Sequence, residues 1–204
     1  MKTKIFSFVA IAVIALGIGN NTFAATKNDS AAKNNEVSTV LTNVSKINKI
    51  EVRGNVELFV TDDENDQVKV YSRYYSESAM VQNQKGVLRI TSYSDQKLVV
   101  WVKASQLNSI TAYDNAEVKS FGKLSPIEME VTLHDNAYAK LDVNGYSVNV
   151  TLNNRSKADL TGNVTQCNLK YDRSATLNST NFVAEHMVRT VDGIDTNTQA
   201  LVGL

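Results

Sequence analysis

Apolar and polar residues alternate in short runs over most of the chain after Ile47. Alternation with a period of two, rich in β-branched residues, is typical of half-buried β-strands. The runs are Ile50 and Val52; Val56, Leu58 and Val60; Val68 and Val70; Leu88 and Ile90; and Leu98, Val100 and Val102. Turn-forming residues separate the runs, for example at 53–55 and 84–86. The pattern therefore predicts an all-β domain.

The second half of the chain contains an internal repeat. Four similar segments begin at Ile110, Val131, Val150 and Cys167, at offsets of 21, 19 and 17 residues. Repeats of this length with strand periodicity inside them are typical of a β-solenoid, and parallel crossovers are right-handed. We therefore expect a single-stranded right-handed parallel β-helix with coils of about 17–21 residues, in which residues 47–109 form the first coils or capping hairpins. An antiparallel sandwich is the alternative, but it does not explain the repeat.

Alignment of the four segments predicts which side chains form the core. Alternate positions are apolar in each segment, and Cys167 occupies a position held by Ile or Val in the others, which indicates a buried thiol. The residues expected to be buried are Val131, Leu133, Leu141, Val150, Leu152, Leu160, Cys167 and Leu169. Between the apolar positions, Asp-Asn or Asn-Asn pairs at 114–115, 135–136 and 153–154 predict a stack of tight corners, since Asp and Asn tolerate left-handed backbone.

The N-terminus has the features of a secretory signal. Lys2 and Lys4 precede an apolar run at 5–18, which is too short to span a bilayer. Small residues follow and end at Ala24, where we expect cleavage. We expect a signal peptide at 1–24, a flexible leader at 25–46, the β-helix domain at 47–190 and a C-terminal cap or tail at 191–204. The protein is then exported to the periplasm, the outer surface or the medium, with no transmembrane segment after cleavage.

Composition narrows the function classes. The 21 basic and 21 acidic residues balance, so nucleic acid is not an expected partner. Cys167 is the only cysteine, which excludes an internal disulfide. Neither a nucleophile elbow nor a glycine-rich nucleotide loop occurs, and His134 and His186 lack neighbours at metal-ligand spacing. We therefore expect no cofactor.

The order of several strand motifs resembles a known family. The runs are IEVRGNVELFV at 50–60, GVLRI at 86–90, LVVWV at 98–102, LNSI at 107–110 and Asp-Asn-Ala at 114–116. Together they are similar to the putative auto-transporter adhesin, head GIN domain family of Bacteroidetes-type bacteria, over roughly residues 47–190. The resemblance implies an exported β-helix of adhesin-like role, without a catalytic signature to transfer.

Aromatic residues and paired carboxylates are the candidate functional groups. The candidate binding residues are Tyr71, Tyr74, Tyr75, Tyr93 and Trp101, because aromatic rings stack on sugars or anchor a protein partner. Stacked corners would bring Asp114 and Asp135 together, where their oxygens could bind Ca²⁺, although a solvated turn ladder explains the pair as well.

Three functions fit these observations. The first is a non-enzymatic, adhesin-like binding module that presents a solenoid face to a glycan or a surface protein. The second is a polysaccharide-acting β-helix enzyme, for which Asp135, Lys140 and Arg155 are the candidate groups. The third is a structural spacer of the cell envelope. The sequence does not fix the oligomeric state.

Overall fold

The structure is a computed structural model that describes residues 38–41, 44, 46–72, 75–192 and 194–195. These residues form fourteen strands and one short helix. The elements are β1 (Ser38–Leu41), β2 (Lys49–Arg53), β3 (Val56–Asp62), β4 (Gln67–Tyr71), α1 (Tyr75–Ser78), β5 (Ala79–Gln84), β6 (Val87–Ser92), β7 (Leu98–Ala104), β8 (Ser109–Ala112), β9 (Glu117–Ser120), β10 (Glu128–Leu133), β11 (Tyr138–Leu152), β12 (Lys157–Tyr171), β13 (Thr176–Val191) and β14 (Ile194–Asp195). The described part of the chain has no helix that is long and apolar enough to cross a membrane.

The strands form one mixed sheet in the shape of a half-barrel, so the predicted right-handed parallel β-helix is wrong. Along its main path the strand order is β1-β4-β7-β3-β9-β11-β10-β8-β2-β6-β5, and β12, β13 and β14 continue from β11. Four pairs are antiparallel: β1 with β4, β4 with β7, β5 with β6, and β13 with β14. The all-β content, by contrast, agrees with the alternation in the sequence.

Tight turns explain part of the antiparallel pairing. Lys85 and Gly86 join β5 to β6 and have φ angles of 52° and 80°. Two residues with positive φ are the requirement of a type I′ turn, whose twist matches an antiparallel hairpin. A parallel pair needs a long crossover connection instead. The two-residue turn at 85–86 therefore excludes a parallel coil at this point.

The repeated segments of the second half pair in parallel. Ile110 lies beside Val131, and Val131 beside Val150, as the alignment of the first three segments predicts. The fourth segment is displaced by two residues, because Val150 pairs with Leu169 while Cys167 pairs with Val148. A displacement of two residues leaves every side chain on the same face of the sheet. This explains why the core was predicted correctly despite the misaligned segment.

All eight side chains predicted to be buried are buried. Their exposed fractions lie between 0% and 2%, and Cys167 is 1% exposed. Burial raises the pKa of the Cys167 thiol to about 12, with a smaller opposing effect from Arg189. The thiol is therefore protonated at neutral pH and lacks the thiolate needed for reaction.

Corner turns connect the strands of the repeated half. Asp114, Asp135 and Asn154 have φ angles of 60°, 59° and 59°, in the left-handed region that Asp and Asn tolerate. In each corner a small residue occupies a buried position three residues after Tyr113, His134 or Asn153. The backbone N–H of the small residue donates to the carbonyl of that earlier residue. These small residues are Ala116, Ala137 and Ser156.

Candidate functional site: an aromatic patch on the sheet

Three aromatic side chains lie together on the solvent face of the sheet. Phe59 lies between the buried residues Leu58 and Val60 of β3, so the alternation of the strand directs its ring outward. Phe59 pairs in register with Trp101 of β7, and their ring centroids are 4.7 Å apart at an interplanar angle of 24°. Phe121, just after β9, lies 5.1 Å from Trp101 with its ring tilted by 59°.

Tyr71 and the aliphatic part of Lys69 extend this surface across β4. Lys69 lies beside Trp101 in the antiparallel β4–β7 pair, and its Nζ is 4.7 Å from the centroid of the Tyr71 ring. We call Phe59, Tyr71, Trp101 and Phe121 the aromatic patch. A depression of about 380 Å³ lies between Tyr71, Trp101 and Phe121. The patch is open to solvent, since Phe121 is 60% exposed.

Charged and polar groups surround the aromatic patch. Lys103 Nζ lies 2.6 Å from Asp63 Oδ2, and both residues line the depression with Thr61 and Gln67. The hydrogen bond from Lys103 lowers the pKa of Asp63, which the backbone N–H of Asn65 lowers further. Asp63 is thus an anion at neutral pH, and the rim presents donors and acceptors around an apolar centre.

A second ion-pair network lies next to Phe59. Lys119 Nζ is 5.8 Å from the centroid of the Phe59 ring, 2.5 Å from Glu57 Oε1 and 2.9 Å from Glu117 Oε2. Glu117 is also 2.7 Å from Lys97 Nζ. Hydrogen bonds from Lys97 and then Lys119 lower the pKa of Glu117, and the hydrogen bond to Glu57 raises the pKa of Lys119. Glu117 and Lys119 are therefore charged at neutral pH.

The structure brings together two of the five aromatic residues that were predicted to bind. Tyr71 and Trp101 line the same depression. Tyr75, in α1, packs against the hydrophobic core, and Tyr93 lies after β6 with 72% of its side chain exposed and does not line the depression. Tyr74 lies outside the described residues.

Sequence reasoning missed Phe59 and Phe121. The signal for Phe59 was available, since a Phe at an outward position between Leu58 and Val60 breaks the apolar-in, polar-out alternation. Phe121 carries no such signal, because it follows the end of β9 and only the pairing of β3 with both β7 and β9 brings it to Trp101.

Comparison with known proteins identifies the domain. The family model described as putative auto-transporter adhesin, head GIN domain, matches residues 46–194. The chain belongs to this family. Membership of the head GIN domain family is consistent with an adhesin-like module at an extracellular or surface location. A comparison with curated proteins gives no match.

Solved structures share the fold of this head GIN domain at low sequence identity. A putative adhesin from Bacteroides fragilis aligns with a TM-score of 0.66 and 13% identity, covering 76% of this chain and 75% of that chain. A putative lipid binding protein from Parabacteroides distasonis aligns with a TM-score of 0.61 and 9% identity, covering 76% of this chain and 78% of that chain. A putative adhesin from Parabacteroides merdae aligns with a TM-score of 0.59 and 15% identity, covering 76% of this chain and 77% of that chain.

The two corner aspartates of this head GIN domain accept backbone hydrogen bonds. Asp114 Oδ2 accepts the N–H of Gly54 at 3.2 Å, and Asp135 Oδ2 accepts the N–H of Asp114 at 3.3 Å. Among the described residues, no group of three or more His, Cys, Asp or Glu side chains is arranged to hold a metal ion. The carboxylates thus stabilise the corner turns of the domain.

The side chains considered for an enzyme lie at the corner turns or on the surface of a strand. Asp135 serves the corner turn, and Arg155 Nε donates to Asn136 Oδ1 at 3.2 Å on the same edge. Lys140 is an exposed residue of β11. His134 stacks on Tyr113 with ring centroids 4.7 Å apart, and its Nδ1 lies 3.4 Å from Asn153 Nδ2. Asp135, Arg155 and His134 thus take part in contacts between successive corner turns, whereas Lys140 lies on the solvent face of β11.

Proposed function

We propose that the domain is an exported, non-enzymatic adhesin-like module that binds a glycan at the aromatic patch. The observation that carries the proposal is the cluster of Phe59, Trp101 and Phe121 on the solvent face of the sheet. Exposed aromatic clusters are costly to hydrate and mark interaction sites. The signal-like segment at 1–24 lies outside the described residues and supports export from sequence alone.

The chemistry of the patch fits a sugar better than a charged or fully apolar ligand. A pyranose ring has an apolar C–H face that packs on an aromatic ring, and its edge carries hydroxyl groups that need hydrogen-bond partners. Trp101 supplies the apolar platform, whereas Lys103, Asp63 and Gln67 supply donors and acceptors at its rim. A few polar groups around an apolar surface are the usual composition of a small-ligand site.

The ionisation of Asp63 argues against hydrolysis at the patch. Glycoside hydrolysis generally needs two carboxyl groups, one of which stays protonated to act as the acid. Asp63 is the one carboxylic acid among the described residues that line the depression, and Lys103 holds its pKa below the usual range. Among the described residues that line the depression, no carboxyl group is therefore suited to protonate a leaving oxygen.

A binding experiment tests this function. The domain is screened against a panel of glycans, and the best ligand is measured by calorimetry with Trp101→Ala and Phe121→Ala. We expect each change to weaken binding about tenfold or more, since central aromatic anchors dominate such surfaces. Phe121 is 60% exposed, so its replacement leaves the fold intact.

Matched variants control for general effects. Tyr146→Ala removes an aromatic side chain that is 53% exposed and lies in β11, and it should not change the affinity. The pair Asp114→Asn with Asp135→Asn should also leave binding unchanged. Shortening of an oligosaccharide during incubation would contradict the proposal and establish an enzyme. Loss of affinity in the Tyr146 control equal to that of Trp101→Ala would show that the patch is not the site.

A further inference from the structure

A second groove lies where β8 and β10 begin. The two strands pair from Ser109 and Glu130 onward, and the backbone N–H of Glu130 donates to the Asn108 carbonyl at 2.8 Å. The segments before this point, 105–108 and 125–128, line a groove of about 730 Å³. Asp62 lines this groove, whereas the next residue, Asp63, lines the depression at the aromatic patch. The two linings share no residue, so they are separate sites.

The groove is acidic. Three carboxylates line it, those of Asp62, Glu128 and Glu130, and none of the described residues in its lining is basic. Asp62 Oδ2 accepts the backbone N–H of Ser125. Within the described part of the chain, no ion pair joins Glu128 or Glu130 to a cation. Lys46 hydrogen-bonds the lining residue Gln106 at 3.0 Å and so brings one cation to the rim.

The side chain of Ser109 adds an observation that is independent of charge. Ser109 is only 8% exposed and lines the groove, and its side chain forms no hydrogen bond with the residues that the structure describes. Its hydroxyl is reachable from the groove, where a polar ligand group can supply the hydrogen bond that the side chain lacks among the described residues. The groove thus contains an unused hydrogen-bonding group beside its carboxylates.

Apolar surface accompanies these polar groups. Ile127 is 83% exposed at the groove, and Leu107, also in the lining, is 7% exposed. Lysine and arginine combine an aliphatic stem with a cationic head, so they match a site that is apolar on one side and acidic on the other. We propose that this groove binds a lysine- or arginine-bearing segment of a partner peptide. Glu128 and Glu130 bind the cationic head, Ser109 hydrogen-bonds the segment, and Ile127 packs on the stem.

Fluorescence anisotropy with a labelled peptide of alternating lysine and alanine tests the proposal. We expect the wild-type protein to bind at low ionic strength, and Glu128→Gln with Glu130→Gln to weaken binding about fivefold, the sum of two exposed ion pairs. Ile127→Ala should weaken binding about twofold to threefold through lost contact with the stem. All three side chains are exposed, so the variants should keep the thermal midpoint of the wild type.

A charge-matched pair separates a site from general attraction. Glu64→Gln with Glu185→Gln removes the same charge from exposed positions outside the groove lining and should change affinity by less than about twofold. The proposal is overturned if both pairs weaken binding equally, if the wild type does not bind, or if a peptide with acetylated lysines binds equally well. Binding of a chitosan oligosaccharide in place of the peptide would overturn the peptide assignment. Trp101→Ala should leave peptide binding unchanged, so this result does not depend on the glycan site.

Discussion

Ser156 has a buried hydroxyl without a hydrogen-bond partner among the residues that the structure describes. Ser156 is 0% exposed, and the equivalent corner positions in the preceding turns hold Ala116 and Ala137. The position therefore requires a small side chain and makes no use of the oxygen. An unsatisfied buried polar group costs about 1–3 kcal/mol, part of which a methyl side chain avoids.

Ser156→Ala should therefore stabilise the protein by about 1 kcal/mol, because the hydroxyl is removed with almost no change in volume. Urea unfolding at neutral pH measures the change. The reverse replacement, Ala137→Ser, places a hydroxyl at the equivalent position of the preceding turn and should destabilise the protein by a similar amount. A loss of stability in Ser156→Ala would mean that the hydroxyl has a partner in solution.

At the scale of the elements, the turn between β2 and β3 depends on glycine. Gly54 has a φ of +85°, and a Cβ at this position would overlap the Ser92 carbonyl oxygen at the end of β6. Gly122 has nearly the same φ, +83°, but nothing within 4 Å of the corresponding Cβ. The two glycines thus separate the cost of backbone strain from the cost of contact with a neighbouring strand.

Gly122→Ala should cost about 1 kcal/mol, the strain of an alanine with positive φ. Gly54→Ala should cost about 1–3 kcal/mol more, because β6 must also move away from the turn. Chemical denaturation of the two variants gives the comparison. Equal losses in the two variants would show that the Ser92 carbonyl can shift freely.

The elements also show how far the sequence predicts the fold. Alternation identified the strands and the core, because each strand has one buried face and a residue such as Leu152 must lie on it. Pairing was predicted only where the segments resemble one another, at Ile110, Val131 and Val150. Residues 47–109 lack the repeat, so nothing local shows that β4 pairs antiparallel with β7.

The candidate site was predicted in part for the same reason. Trp101 and Tyr71 were noted for their residue type, but their proximity depends on the pairing of β4 with β7. Phe59 joins them through the parallel pairing of β3 with β7, which links residues 42 positions apart. The aromatic patch is assembled from three strands and the residue that follows a fourth, so it is a property of the strand order. The strand order was the part of the fold that was predicted wrongly.

At the scale of the whole molecule, the network of Lys97, Glu117, Lys119 and Glu57 links β9 to β3 and to the start of β7. The lowered pKa of Glu117 means that the folded state binds its proton less readily than the unfolded state does. This carboxylate therefore stabilises the fold above about pH 4.5, its ordinary pKa, and the stabilisation is lost as the pH falls through the lower folded value.

Glu117→Gln should consequently lower the free energy of unfolding at pH 7, and the difference from the wild type should shrink below pH 4.5. Denaturant unfolding of both proteins from pH 7 to pH 3 measures this change. High salt should also reduce the difference at pH 7, since the groups are partly exposed. A difference that stays constant with pH would show that Glu117 acts by packing and not by charge.

Three backbone N–H groups of the corner turns each donate to a side-chain oxygen of the next corner along the chain. Asp114 donates its N–H to Asp135, Asp135 donates to Asn154, and Asn154 donates to Asp172, so the acceptor always comes later in the sequence. A ribosome releases the N-terminal residues first. Each corner is therefore completed only after about one further repeat has been synthesised, and we expect nascent chains that end before Asp172 to leave the Asn154 corner sensitive to protease. These corner turns are thus stabilised in the order of synthesis, and the turn made last still lacks its side-chain acceptor.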